Sequence, residues 1–154
     1  AYLRREKIDV ADFIDRLLTL NRHEFDARSI SVDVALAKDA RQLTGDPDKF
    51  LQVLRNLVQN ASQYTPDGGR FKVAARRSGK TKCLEFSNTC AEISEEDLPL
   101  FFERFHRLDR SRSGDTGGAG IGLSIVKQLV EAHGGTVAVA TKGGEITFTI
   151  SLPA

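Results

Sequence analysis

Apolar residues recur at helical spacing over residues 8–25. Ile8, Val10, Phe13, Ile14, Leu17, Leu18, Leu20 and Phe25 form a stripe with charges between, so a helix is the first element predicted. Over 29–37 the period falls to two, with Ile30, Val32, Val34 and Leu36 alternating against Ser31, Asp33 and Ala35 as in a half-buried strand. Asp46-Pro47 reads as an N-cap followed by proline at the first helical position, and Asp48 adds a carboxylate where the helix dipole favours one. The helix it opens has a broad apolar face including Phe50, Leu54, Leu57 and Ala61, and Thr65-Pro-Asp-Gly-Gly69 stops it.

Farther on, Phe71, Val73, Ala75 and residues 83–87 predict a hairpin across the polar turn Ser78-Gly79-Lys80. Ser94 with Asp97 three residues later resembles a capping box opening a short helix that ends near Phe105. Residues 106–119 have almost no apolar content and many breakers, which predicts a mobile loop. From Gly120 to His133 the pattern is again helical, and Gly134-Gly135 terminates it. Val137 and Val139, then the alternation Ile146, Phe148, Ile150, Leu152, predict two closing strands. The expected fold is an α/β two-layer sandwich, a mixed sheet covered on one face by about three helices.

Composition narrows the function classes. At 154 residues with 40% hydrophobic and 28% charged residues, one domain with its own core is expected. Lys+Arg number 22 against 21 Asp+Glu, so no chain-wide field points to nucleic acid or a membrane. No apolar run approaches the ~20 residues that span a bilayer. Cys83 and Cys90 lack the spacing of a zinc site and read as two reduced thiols of a cytosolic protein. The beginning, Ala1-Tyr-Leu-Arg-Arg-Glu-Lys7, has no leader and no initiating Met, and reads as cut from something longer.

Three features carry possible chemistry. Asn56 and Asn60 lie four apart on an otherwise apolar helix, so their amides point the same way although asparagine disfavours helix interiors. Gly117-Gly-Ala-Gly-Ile-Gly122 leads into a helix and offers free amides and a positive dipole end to phosphate. It fails as a dinucleotide fingerprint, because Leu123 stands where a third glycine is required. Arg104, Arg107, Arg110 and Arg112 gain a use if phosphate binds next to that glycine run. Two decoys are set aside. Gly79-Lys80-Thr81 ends like a phosphate loop but lies in a hairpin turn, and His23-Glu24 lacks the downstream proline of a phosphoacceptor and reads as surface helix.

The order of the pieces is more specific than any one of them. Leu51-Gln-Val-Leu-Arg-Asn-Leu-Val-Gln-Asn-Ala-Ser-Gln-Tyr-Thr-Pro66 resembles the N box of sensor histidine kinases, Phe101-Phe-Glu-Arg-Phe-His-Arg-Leu-Asp109 their F box, and Gly118-Ala-Gly-Ile-Gly-Leu-Ser-Ile-Val-Lys127 with Ala132-His-Gly-Gly135 their G2 box. The segment 107–120 is similar to the lid of vancomycin-resistance sensor kinases. The resemblance implies a Bergerat-type ATP-binding catalytic domain over residues 8–154, with residues 1–7 ending the linker from an absent dimerisation helix. It implies ATP and Mg2+ as cofactors, held between the N-box helix and a mobile lid. Asn60 would be the magnesium ligand, and Asn56 stands where the related ATPases carry a water-activating Glu, which suits phosphotransfer over hydrolysis. Gln63, Tyr64, Asn88, Ile93, Arg104 or Arg107, Gly118, Gly120, Gly122, Leu123 and Thr147 would contact the nucleotide.

Implied partners are the dimerisation and phosphoacceptor domain of the same protein and a response regulator. The fragment would be monomeric and its parent a homodimer, with this domain on the cytoplasmic side of a bacterial inner-membrane sensor. The sequence departs from the family at the G1 box. Where relatives read Asp-x-Gly-x-Gly-Ile, this chain has Asn88-Thr-Cys-Ala-Glu-Ile93, which loses a charged acceptor for the adenine amine and two glycines, so weak ATP binding is expected. That departure is also the main support for the rival reading, a regulatory binding module of the same fold with little kinase activity.

Overall fold

A computed structural model describes residues 3–91, 96 and 117–154. Short strand β1 (Glu6–Asp9) leads into α1 (Val10–Ala27), whose N-cap Asp9 accepts from the Asp12 N–H at 3.0 Å. β2 (Ser31–Leu36), one 3-10 turn (Lys38–Ala40) and β3 (Gln42–Gly45) precede α2 (Pro47–Tyr64). The hairpin β4 (Arg70–Ser78) and β5 (Thr81–Thr89) follows, then α3 (Gly117–Ala132), β6 (Thr136–Lys142) and β7 (Glu145–Pro153).

The main sheet has the order β2-β4-β5-β7-β6, with β2 parallel to β4 and every other pair antiparallel. This is the predicted mixed sheet. Its inner face carries Phe71, Val73, Leu84, Phe86, Phe148 and Ile150, all at most 2% exposed, in one core with Ile14 and Leu17 of α1, Val53, Leu54 and Leu57 of α2, and Val126 and Val130 of α3. Burying side chains of this size supplies most of the drive to fold, about 1.5–3 kcal/mol for each before entropy is counted.

Three expectations need correction. The stripe beginning at residue 8 is two elements: Ile8 belongs to β1, which pairs antiparallel with β3 in a separate two-stranded sheet, and neither four-residue strand is long enough to show a period. β2 is an edge strand, bonded on one side only, and Val34 is 46% exposed instead of packed. α3 begins at Gly117, three residues earlier than the glycine content suggested. The short helix expected over 94–105, and the expected loop up to residue 116, lie outside the described residues apart from Glu96.

Candidate functional site

Asp46 caps α2 through its side chain, which accepts from the Lys49 N–H at 3.3 Å. The far end is held differently. Arg28, the residue following α1, sends its guanidinium to the carbonyls of Ser62 and Thr65 and to the Asp67 carboxylate at 2.9 Å, so orphan carbonyls of the last turn are capped by a cation. Between these ends the apolar side of α2 enters the core and its two asparagines remain on a polar strip. The half-buried Asn56 donates from Nδ2 to the Gly122 carbonyl of α3 at 3.3 Å. Asn60, one turn on, is only 9% exposed, and its amide has no hydrogen-bond partner among the described residues. The described side-chain polar atoms that are fully buried without a hydrogen bond are Thr65 Oγ1 and Glu145 Oε2, so the Asn60 amide still reaches solvent, where a ligand can meet it. Tyr64 is half-buried at the last position of α2 and Gln63 is exposed beside it.

α3 faces this strip. Because its backbone is helical from Gly117, the amides of residues 117–119 have no intrahelical partner, while the N–H groups of Gly120 and Gly122 lie inside the helical ladder. Gly118 keeps the donor expected of it; Gly120 does not, and Gly122 instead gives its carbonyl to Asn56. Leu123 is 6% exposed and part of the core, so its side chain is not available to a ligand.

The third wall is the end of β5. Asn88, 3% exposed, pairs with Phe71 on one side and Ile146 on the other, which places it on the helix-facing side of the sheet. Its Nδ2 donates to the Thr89 carbonyl at 2.9 Å, and this fixes the amide with Oδ1 as the acceptor left over. Thr147 is elsewhere. It pairs with Ser87, the two hydroxyls lie 2.9 Å apart, and both point to the opposite face of the sheet. The nucleotide contact expected of Thr147 is therefore corrected: side chains alternate along a strand, and the β7 residue beside Asn88 is Ile146, 4% exposed. The apolar phase 146, 148, 150, 152 already contained that answer.

The Cys90 N–H bonds the Gly144 carbonyl at 2.8 Å, extending the ladder past β5, and its half-buried thiol is pushed up by burial and by the Glu145 charge. Both cysteines are free thiols. Ile93, Arg104 and Arg107 lie outside the described residues. Gly79-Lys80-Thr81 forms the turn at the far end of β5 from Asn88, with Gly79 at φ 60°, and His23 is exposed on α1. Among the described residues no group of three His, Cys, Asp or Glu could hold a metal. The Asn60 amide oxygen is a neutral donor of the kind a hard cation accepts.

Comparison with known proteins identifies the family. Residues 45–154 match the family described as histidine kinase-, DNA gyrase B-, and HSP90-like ATPase. The chain is 41% identical over 112 residues to the sensor protein VanS of Enterococcus faecium, covering 73% of this chain and 29% of that protein. It superposes on the mycobacterial sensor histidine kinase MprB with a TM-score of 0.79 at 29% identity, covering 97% of each chain. It superposes on histidine kinase ThkA in complex with response regulator protein TrrA with a TM-score of 0.82 at 22% identity, covering 98% of this chain and 42% of that one. The chain spans roughly three-tenths of the length of the curated relatives it matches.

Proposed function

The chain belongs to the histidine kinase-, DNA gyrase B-, and HSP90-like ATPase family, as a catalytic domain of the sensor histidine kinase type, and from that premise we propose that it transfers the ATP γ-phosphoryl group to a histidine on a dimerisation domain of its parent protein. The observation that carries the reading is the pair Asn56 and Asn60 on one strip of α2, the first bonded to the Gly122 carbonyl of α3 and the second with an open amide. The Asn60 oxygen is a hard neutral donor suited to Mg2+, an ion held through few protein ligands and the phosphates it bridges. When bound, Mg-ATP supplies the phosphoryl group and the charge that must be neutralised. The chain itself positions: the α3 amides 117–119 would hold phosphate oxygens, Asn88 Oδ1 would accept from the adenine amine, and Tyr64 would border the nucleotide. Asn56 carries no carboxylate to activate water, which favours phosphotransfer over hydrolysis.

The partners follow from the same reading. They are a phosphoacceptor helix in a homodimeric parent and a response regulator that takes the phosphoryl group onward, with the domain on the cytoplasmic side of a membrane-anchored sensor. Among the described residues no helix is long and apolar enough to cross a membrane.

The test supplies this chain and labelled Mg-ATP to the dimerisation domain of its parent. Acid-labile, base-stable label on that domain's histidine is expected, slower than in the intact protein because tethering is lost. The chain alone should stay unlabelled. Release of ADP and phosphate with no phosphohistidine would instead make it an ATPase, and stoichiometric self-labelling that survives His23→Ala would overturn the assigned division of labour.

A further inference from the structure

His133, immediately after α3, is 6% exposed. Its Nδ1 lies 2.7 Å from the Leu129 carbonyl, which can only accept, so Nδ1 carries the proton. Nε2 is then an acceptor, and it receives the Asp46 N–H at 3.1 Å, across 87 positions of sequence. The ring meets Phe50 edge-on at a centroid distance of 5.9 Å. It also dictates its neighbour: a Cβ at Gly45 would lie 2.6 Å from His133 Cδ2 and 2.9 Å from Nε2, so only glycine leaves room for it.

Asp46 opens α2 and His133 closes α3, while Asn56 and Gly122 join the same two helices at 3.3 Å farther along. The antiparallel pair is therefore pinned at two levels about 15 Å apart, ten residues along α2 at about 1.5 Å each. A slide of one helix past the other by a single turn moves it about 5.4 Å, more than a hydrogen bond tolerates, so both pins hold in one register only. That register sets where the open amides of residues 117–119 lie along α2 relative to Asn60.

We propose that His133 is a positioning residue of the nucleotide site, and that its Nε2 bond to the Asp46 N–H sets the axial register of α3 on α2 and thereby the fit of phosphate and magnesium. This rests on the nucleotide reading above. It acts through Asp46 and α3, and His133 itself meets no ligand.

The two ring bonds can be separated by side chains that imitate one nitrogen each. In His133→Gln the amide oxygen reaches the place of Nε2 and keeps the Asp46 bond; in His133→Asn the amide nitrogen takes the place of Nδ1 and loses it. Both variants melt lower than wild type. Positioning predicts that only the Asn variant weakens Mg-ATP binding, by about fivefold, and only there does the Asn56 side-chain NH2 resonance shift in the nucleotide-free protein. Gly45→Ala, which crowds the ring without altering it, should reproduce both effects and serves if the Asn variant does not fold. Equal affinity and equal Asn56 resonances in the Gln variant and in Asn or Gly45→Ala would overturn the inference. If wild type bound no Mg-ATP the functional reading would fall, and the Asn56 resonance would still decide the register claim.

Discussion

Asn60 on α2 and Asn88 on β5, both placed in the proposed nucleotide site, are buried at 9% and 3% exposure, yet their amides are left in different states. Asn88 has spent its nitrogen on the Thr89 carbonyl and offers a single fixed acceptor. Asn60 has no partner among the described residues and can turn either end to a ligand. On the proposed reading, the helix side keeps an adaptable group for cation and phosphate charge, and the strand side keeps a fixed, neutral acceptor for the base. From this contrast, nucleotide binding should depend mainly on the phosphate end.

The largest expected effect breaks the helix wall. Asn60→Ala should lower magnesium-dependent phosphotransfer by about 100-fold or more while leaving the melting temperature within a few degrees, measured with the supplied dimerisation domain and by calorimetry. A collapse in melting temperature would make Asn60 structural. Next, the strand wall can be sharpened. Asn88→Asp with Cys90→Gly and Glu92→Gly should tighten ATP by about tenfold, since a charge-assisted bond replaces a neutral one and two side chains leave. The same variant should be less stable without nucleotide, by up to about 1 kcal/mol per glycine, and further because a carboxylate oxygen would face the Thr89 carbonyl.

A smaller effect separates the two phases of β7. Thr147→Val should leave the ATP dissociation constant within about twofold, because its hydroxyl bonds Ser87 on the far face, whereas Ile146→Ala beside Asn88 should change it more. An equal response from both positions would return Thr147 to the site. The smallest lies at the α2 cap. Burial acts to raise the Asp46 carboxyl, but the main-chain N–H groups of Arg4 and Lys49 and the charges of both residues hold it below its ordinary 3.8. A lowered folded-state value gives stability present above the unfolded value and lost as pH falls through the folded one. Urea midpoints of wild type and Asp46→Asn should therefore run parallel above about pH 5 and converge below about pH 4.

What could be read in the sequence follows from how local each signal is. α2 was legible from Asp46-Pro47 to Tyr64 because cap, proline, apolar face and stop are all close in sequence and agree. Asn56 and Asn60 were legible as a shared face for the same reason. The resemblance points Thr147 at the nucleotide, whereas the alternation of Ile146, Phe148, Ile150 and Leu152 puts it in the opposite phase, and the structure follows the alternation. β1 and β3 were missed because four residues show no period and their pairing, Ile8 against Leu43, is long-range. The start of α3 was misjudged because four of its first six residues are glycine, poor in helix propensity but held by tertiary context. No sequence pattern announces the His133 bond to Asp46 or the Arg28 cap on α2, since each joins residues more than 30 positions apart.

The central claim is that Asn56, Asn60, Asn88 and the first turn of α3 form one Mg-ATP site. A titration of the 15N-labelled chain with ATP, run with and without Mg2+, tests it most directly. Saturable, magnesium-strengthened shifts are expected in the side-chain amides of Asn60, Asn56 and Asn88 and in the main-chain amides of residues 117–119, with the Ser87 and Thr147 amides moving least. Absence of saturable shifts, or shifts centred on the outer face around Ser87 and Thr147 and indifferent to Mg2+, would contradict it.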